Sequence, residues 1–98
     1  MYKLTDIPKI RYTMTEYQLF ASVPKTGKKV SSTHIAEARQ KLGGWDVKFP
    51  LKNVTVTMNR LIDKIDANRE DFRLRKEDKY PGHPEVEYWI EPRKRNGK

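Results

Sequence analysis

Cysteine is absent from this 98-residue chain and histidine occurs only twice, which excludes several kinds of chemistry. Without thiols there can be no disulfide scaffold, no thiolate zinc site and no cysteine nucleophile. The histidines, His34 and His83, lack a His-x-x-x-His or Glu-x-x-His partner, so we expect no bound metal and no other cofactor. A Gly-rich phosphate loop is missing as well, and we predict that the protein is not an enzyme.

Long apolar runs are also missing. None approaches the ~20 residues that a membrane span needs, and residues 1–10 are too polar for a secretory signal. The length fits one small domain, and a hydrophobic content of 36% is enough for one modest core. We therefore expect a single cytoplasmic domain that does not interact with a membrane.

Positive charge is in excess, and it is unevenly distributed. The chain has 21 Lys+Arg against 13 Asp+Glu, a net charge of +8. Residues 25–52 alone contribute seven basic and two acidic residues, or +5. Such an excess favours a polyanionic partner, with nucleic acid first and an anionic membrane surface second. The alternative is a solvated charged face, and this is the simpler interpretation of the basic tail, residues 93–98.

Two helices are predicted in the first half of the chain. The Thr-x-x-Glu spacing of Thr13–Glu16 is that of a capping box, and the helix that follows should be largely buried and should stop at Pro24. Ser31–Thr33 offers several N-caps for a second, amphipathic helix, which Gly43–Gly44 ends.

The third helix has the clearest apolar stripe. Pro50 argues against a helix in the preceding segment, so we predict a loop over Gly44–Lys52, anchored by Trp45, Phe49 and Leu51, and a helix over 53–67 capped by Asn53. Five apolar residues recur at helical spacing and so share one face of this helix: Val54, Met58, Leu61, Ile62 and Ile65. The opposite face then carries Val56, Asn59, Arg60, Asp63 and Ala67, with Thr57 and Lys64 on one flank.

The last part of the chain alternates between apolar and polar residues, as strands do. Phe72–Arg75 and Val86–Ile90 read as the two strands of a hairpin over residues 72–90. Tyr80–His83, with Pro then Gly at its central positions, fits a type II turn. We expect Arg73 and Arg75 to pair across the strands with Glu85 and Glu87.

This order of elements resembles a winged helix-turn-helix domain over residues 13–92. The resemblance rests on Thr15-Glu16-Tyr17-x-Leu19, on Gly27-x-x-Val30-Ser31-Ser32, and on Asn53-Val54-Thr55-Val56 followed by x-x-x-Arg60-Leu61-Ile62-x-Lys64-Ile65. These motifs look like those of bacterial and phage transcription regulators. The resemblance implies an α+β fold, with a three-helix core and a C-terminal β-hairpin wing. Residues 1–12 would be an N-terminal arm, and residues 93–98 a flexible basic tail.

The resemblance also implies a way of binding DNA. The third helix would lie in the major groove. Judged by their positions in that helix, the residues that would read bases are Val56, Thr57, Asn59 and Arg60. The wing would contribute Lys76, Lys79 and Tyr80. The residue types suit these roles, because an arginine fork matches guanine O6 and N7 and an asparagine amide matches adenine N6 and N7. An i,i+3 ion pair with Asp63 is the alternative for Arg60.

Phosphate contacts are expected around the starts of the second and third helices. Amides at a helix N-terminus, together with the positive end of the helix dipole, suit a phosphate oxygen. The candidates at the second helix are Lys28, Lys29, Ser31, Ser32 and Thr33, although Ser31 or Ser32 could simply cap that helix. Those at the third helix are Lys48, Lys52 and Lys64.

The sequence thus predicts a small transcriptional regulator that binds double-stranded DNA, with helix 53–67 for recognition and hairpin 72–90 as the wing. One alternative is a winged-helix protein–protein interaction module anchored by Trp45 or Trp89. Another is a small RNA-binding protein or ribonuclease that uses Arg75, Tyr80 and His83. A homodimer is left open, because residues 1–12 could pack either on their own core or on a second copy.

Overall fold

The computed structural model describes residues 4–5, 7–78, 82 and 85–93. Within these ranges the chain is α+β, with three helices and one three-stranded antiparallel sheet. The elements are α1 (Met14–Phe20), β1 (Val30–Ser31), α2 (Ser32–Lys41), α3 (Pro50–Ala67), β2 (Phe72–Asp78) and β3 (Val86–Pro92). Their order is compatible with the layout that the sequence predicts.

The sheet has the order β1-β3-β2, so the last strand lies in the middle. Val30 of β1 pairs with Tyr88, and Leu74 of β2 pairs with Ile90. The short strand β1 therefore ties the connection between α1 and α2 to the hairpin. The two hairpin strands are confirmed, whereas the predicted type II turn lies outside the described residues except for Gly82.

The predicted cross-strand ion pairs of the hairpin are wrong. The register places Arg73 opposite Glu91 and Arg75 opposite Trp89, while Glu87 lies opposite Glu77. Arg75 Nη1 donates diagonally to Glu91 Oε1 at 2.8 Å, and Arg73 Nε lies 3.8 Å from Asp66 Oδ1. The reason is the register of the hairpin, in which Asp78 lies opposite Val86, so that Glu85 precedes β3 and Glu87 lies two residues before the partner of Arg75.

The caps at the starts of α1 and α2 and the glycine end of α2 are confirmed. Thr13 Oγ1 accepts from the Glu16 amide at 3.2 Å, and Glu16 Oε1 accepts from the Thr13 amide at 2.8 Å, which completes the capping box. Ser31 Oγ accepts from the His34 amide at 3.1 Å and so caps α2. After α2, Gly43 and Gly44 adopt φ of 79° and 70°, a left-handed conformation that suits glycine and stops the helix.

The predicted end of α1 is wrong, because the helix stops at Phe20, and the Ser22 and Val23 amides continue it only as tight turns before Pro24. The helix is also less buried than predicted, with Met14 71% and Tyr17 40% exposed.

The predicted start of α3 is wrong by three residues. The helix begins at Pro50 rather than at Asn53, and the Asn53 amide already donates to Phe49 O at 2.9 Å. Proline is well tolerated in the first turn, because its missing N–H has no helical acceptor there and its φ is already helical. The 18 residues of α3 span roughly 27 Å at 1.5 Å per residue, and residues 42–49 form the connection from α2.

The core lies between α3 and the inner face of the sheet. The α3 stripe predicted from the sequence is buried at Val54, Met58, Leu61 and Ile65, whereas Ile62 lies at the edge of the core. All three helices and the sheet contribute to the cluster around that stripe, which includes Leu19, Phe20, Ile35, Ala36, Phe72, Leu74, Val86, Tyr88 and Ile90.

The N-terminal segment packs on its own domain. Leu4 and Tyr12 are buried in the core. The Glu70 carboxylate, itself buried, accepts hydrogen bonds from the Thr5 amide at 3.1 Å and from the hydroxyls of Thr5 and Tyr12. Asn68 Oδ1 accepts from the Ile10 amide at 2.7 Å, and Asn68 Nδ2 donates to Ile10 O at 2.9 Å. The segment is thereby tied to the turn that joins α3 to β2.

The free energy of unfolding should fall at alkaline pH because of Tyr12. Burial, reinforced by the nearby Glu70 carboxylate, raises the pKa of this phenol above its usual value. The folded chain then keeps a proton that the unfolded chain releases above about pH 10, so this contribution is complete below that pH and is lost above it. The wild-type free energy of unfolding should fall faster than that of Tyr12→Phe, by up to about 1.4 kcal/mol per pH unit.

Urea unfolding of the wild type and of Tyr12→Phe, at pH values below and above about 10, measures the difference between their free energies of unfolding. Every other titrating group, including the buried Tyr88, is common to the two proteins and cancels in the comparison. Parallel curves for the wild type and Tyr12→Phe would contradict the prediction.

Candidate nucleic-acid interface

The outward face of α3 borders a groove of about 780 Å³ together with the start of α1 and the end of the α2–α3 connection. We call it the basic groove, and its α3 and connection side includes Lys48, Lys52, Val56, Thr57, Arg60 and Lys64. Glu16 is the one carboxylate among the described residues that line it. Six of the predicted phosphate-binding or base-reading residues, four of them cations, are thus brought to one surface.

The burial of α3 decides which of its side chains reach the groove. With Val54, Met58 and Leu61 facing inward, the 100° step of a helix turns Val56 and Arg60 outward. Val56 is 42% exposed, and Arg60 is exposed too. Within the described part of the chain, no ion pair joins Arg60 to Asp63 or to another carboxylate. The guanidinium therefore brings uncompensated charge to the groove.

Asn59 connects α3 to the hairpin. Lys76 of β2 donates from Nζ to Asn59 Oδ1 at 2.7 Å. Reading adenine needs both Oδ1 and Nδ2 of an asparagine, and here the oxygen already accepts one hydrogen bond. The structure thus joins a predicted base-reading residue to a predicted wing residue. The base contact of Asn59 stays a prediction, and it requires the amide oxygen to be shared with Lys76 or released by it.

Lys64 has an internal partner. Its Nζ lies 2.8 Å from Glu16 Oε1, and the Glu16 side chain is only 2% exposed. The same carboxylate completes the capping box of α1. Because a buried carboxylate needs a compensating cation, Lys64 already has a structural role in holding α1 against α3. Its contact with phosphate stays a prediction.

The residues just before and within the first turn of α3 lie at one end of the groove. Lys48 and Lys52 are exposed, and Lys48 Nζ lies 5.6 Å from the centre of the Phe49 ring. Trp45 and Leu51 pack partly against the core as the predicted anchors, whereas Phe49 is 62% exposed. Phe49 therefore lines the groove instead of anchoring the loop as predicted, and its sequence neighbours give no signal of this, because Leu51 lies between the same lysines and packs on the core.

At the start of α2 both serines already have structural partners. Ser31 caps the helix, and fully buried Ser32 accepts at Oγ from the Val86 amide at 3.1 Å. Lys29 lies over the Trp89 ring at 4.6 Å, and its Nζ is 3.5 Å from Glu77 Oε1. Lys28 and Thr33 are exposed. Because Ser32 is 0% exposed, it is not available for a phosphate contact in this structure, whereas the phosphate contacts of Lys28, Lys29, Ser31 and Thr33 stay predictions.

These polar contacts involve both faces of the hairpin. Lys29 contacts Glu77 of β2, and the adjacent Lys76 contacts Asn59 of α3. Successive strand residues point to opposite faces of a sheet, so the approach to α2 and the helix α3 contact β2 from opposite sides. Of the predicted wing residues only Lys76 can be placed, because Lys79 and Tyr80 lie outside the described residues.

No family model matches the chain, and neither the curated proteins nor the solved structures gave a match. Among the residues that the structure describes, no group of three or more His, Asp and Glu side chains could hold a metal ion. In the same residues, no helix combines the length and the apolar character that crossing a membrane requires.

The structural role of Lys64 can be separated from a role in binding. Lys64→Met leaves the buried Glu16 carboxylate without its cation and should lower the free energy of unfolding by about 2–4 kcal/mol. Lys52→Met, at an exposed position on the same side of α3, is the matched control and should change it by less than about 0.5 kcal/mol. Chemical denaturation of the three proteins measures both effects, and equal stability of the two variants would contradict the role of the ion pair.

Proposed function

We propose that this chain is a winged helix-turn-helix protein that binds double-stranded DNA, a small transcriptional regulator of the cytoplasm. In this proposal α3 is the recognition helix and the β2–β3 hairpin is the wing. The observation that carries the proposal is the basic groove, where Lys48, Lys52 and Arg60 bring positive charge to the outward face of α3. Such a surface suits the negative charge of a phosphate backbone.

The dimensions of α3 support the major groove as its site. A helix with its side chains is about 10–12 Å across, and the major groove is about 12 Å wide. Arg60 has the fork that guanine O6 and N7 require, and exposed Val56 can contact a thymine methyl group. Thr57 lies beside them in the groove and can serve either a base or a phosphate.

The start of α3 supports phosphate binding at the end of the same surface. The N-cap residue Phe49 provides no side-chain hydrogen bond to the first helical amides. Amides without a side-chain cap, at the positive end of the helix dipole, are a favourable position for an anion. Lys48 and Lys52 flank these amides along the chain and add two positive charges. A phosphate on the edge of the major groove would accept hydrogen bonds from these amides and neutralise the charge of the two lysines.

The hairpin lies beside the proposed recognition helix, as a wing would. The hydrogen bond between Lys76 and Asn59 keeps β2 beside the middle of α3. A duplex in contact with Arg60 would therefore have the hairpin next to it. Within this proposal, Lys76 contributes to a phosphate contact beside the bases that α3 reads.

The alternative functions have less support from the side-chain contacts. Trp45 packs partly on the core, with the Arg39 guanidinium 5.7 Å from its ring. Trp89 lies under Lys29 and donates from Nε1 to Glu91. Both tryptophans are thus engaged within the chain, as is Arg75 with Glu91. A homodimer stays a prediction.

Replacing Arg60 should reduce sequence preference more than general affinity. A good bidentate contact with a base is worth about 1–3 kcal/mol of discrimination. After selection of a preferred site from a random duplex pool, Arg60→Ala should lose about that much binding free energy on the preferred site and much less on unrelated duplexes. Fluorescence anisotropy measures both losses.

Arg11→Ala, which removes the same charge from an exposed position outside the groove, is the matched control and should preserve the preference. An equal loss on all duplexes would make Arg60 a phosphate contact. If the wild type binds duplexes weakly and without preference at every salt concentration, the proposed function is wrong.

The lysines before α2 should act through phosphate rather than through bases. Lys28→Ala combined with Lys29→Ala should weaken binding to all duplexes, and the slope of log affinity against log salt should become shallower by roughly 1–2, since each released phosphate contact contributes about 0.9. Lys9→Ala combined with Lys41→Ala is the matched control, because it removes equal charge from other exposed positions. An unchanged slope in the Lys28/Lys29 variant would exclude these lysines from the interface.

A further inference from the structure

A second concentration of positive charge lies at the other end of α3. Between the turn after this helix and the base of the hairpin is a cleft of about 620 Å³. We call it the arginine cleft. Its charged lining residues are Asp66, Arg69, Arg73, Arg75, Glu91 and Arg93. None of these arginines belongs to the predicted DNA-binding residues.

The carboxylates of the cleft do not balance its guanidiniums. Asp66 Oδ1 is shared between Arg93 Nη2 at 3.2 Å and Arg73 Nε at 3.8 Å. Glu91 accepts from Arg75 Nη1 at 2.8 Å and also from the Trp89 indole at 3.2 Å. Arg69 makes no ion pair with a described residue. Four guanidiniums and two carboxylates thus leave a local excess of two positive charges.

One of the arginines is held in place by the backbone around it. Arg93 Nε donates to Glu70 O at 2.8 Å, and its Nη2 lies 3.5 Å from Phe72 O in addition to its contact with Asp66. Arg69 directly follows the C-cap residue of α3 and adopts φ of 52°, the left-handed conformation with which helices commonly end.

The turn that carries Arg69 is itself fixed from both sides. The Glu70 amide donates back to Ile65 O at 3.3 Å, and the Glu70 side chain holds the N-terminal segment. The guanidiniums of Arg73, Arg75 and Arg93 and the backbone at Arg69 are therefore positioned before any ligand arrives, which lowers the entropic cost of binding.

We propose that the arginine cleft binds a phosphate group, either on a nucleic-acid backbone or on a free phosphorylated small molecule. Arginine forks match phosphate oxygens bidentately and keep their charge at any physiological pH. The existing ion pairs are partly exposed, and such pairs are worth only about 0–1 kcal/mol, so a phosphate dianion can compete with Glu91 and Asp66 for their guanidiniums.

This site is separate from the basic groove. Lys64 lines the groove and Asp66 lines the cleft, and two residues along a helix differ by about 200° around its axis. The two sites therefore lie on different sides of α3. The phosphate site does not rest on the proposed duplex binding, and each can be tested without the other.

Two-dimensional proton–nitrogen NMR of the full chain with inorganic phosphate at constant ionic strength tests the proposal. The Trp89 indole N–H is a direct reporter, because Glu91 joins it to Arg75. We expect saturable shifts of this signal and of the arginine Nε–H signals. Arg69→Asn combined with Arg73→Gln should weaken phosphate binding at least about tenfold, since hydrogen bonds to charged groups are the stronger kind.

The variants are chosen to leave the fold intact. Arg69 and Arg73 are exposed, and asparagine tolerates the left-handed conformation at position 69. Lys9→Gln combined with Lys41→Gln is the matched control, which removes two positive charges from exposed positions outside the cleft and should keep the wild-type affinity for phosphate.

A short single-stranded oligonucleotide distinguishes the two sources of phosphate. If the oligonucleotide shifts the Trp89 and arginine signals and the arginine double variant abolishes these shifts, the ligand is a nucleic-acid backbone. If inorganic phosphate causes such shifts and the oligonucleotide does not, the ligand is a free phosphorylated molecule. Shifts that sodium chloride reproduces at equal ionic strength, or that the double variant retains, would overturn the proposal. Arg60→Ala should bind phosphate normally, so a failure of duplex binding cannot be mistaken for a failure of the cleft.

Discussion

The burial of one apolar stripe of α3 determines where every candidate functional surface of this protein lies. Val54, Met58, Leu61 and Ile65 are fully enclosed by the other helices and the sheet. Burying such a side chain is worth about 1.5–3 kcal/mol, whereas an exposed ion pair is worth about 0–1 kcal/mol. The stripe therefore decides how α3 is rotated. Arg60 faces the basic groove, and the turn after the helix carries Arg69 into the arginine cleft, as consequences of that rotation.

Two buried carboxylates then join the remaining segments to α3. Glu16 completes the capping box of α1 and pairs with Lys64, while Glu70 holds Thr5 and Tyr12 of the N-terminal segment. A carboxylate removed from water has to be satisfied by donors, so each of these residues restricts the position of its neighbours. Glu16 in this way shapes the wall of the basic groove. Glu70 stabilises the turn on which Arg69 is placed.

The net charge of +8 says little about where the protein binds, because many of its cations are engaged internally. Lys29 contacts Glu77 and Trp89, Lys64 pairs with Glu16, and Arg75 pairs with Glu91. Lys52, Arg60 and Arg69 have no such partner among the described residues. Lys52 and Arg60 lie at the basic groove and Arg69 at the arginine cleft, on different sides of α3. Duplex binding is proposed for the basic groove and phosphate binding for the arginine cleft.

The sequence by itself determined the features that depend on neighbours a few residues apart. The capping box at Thr13, the cap at Ser31, the α3 stripe and the alternation in the hairpin strands are all local, and all were predicted. The start of α3 was missed because proline suits a first helical turn as well as a loop. Only the tertiary structure decided the hairpin register, the pairing of Lys64 with a residue 48 positions away, and the assembly of the arginine cleft. Those features depend on contacts between distant segments, and their geometry exists only once the core has packed.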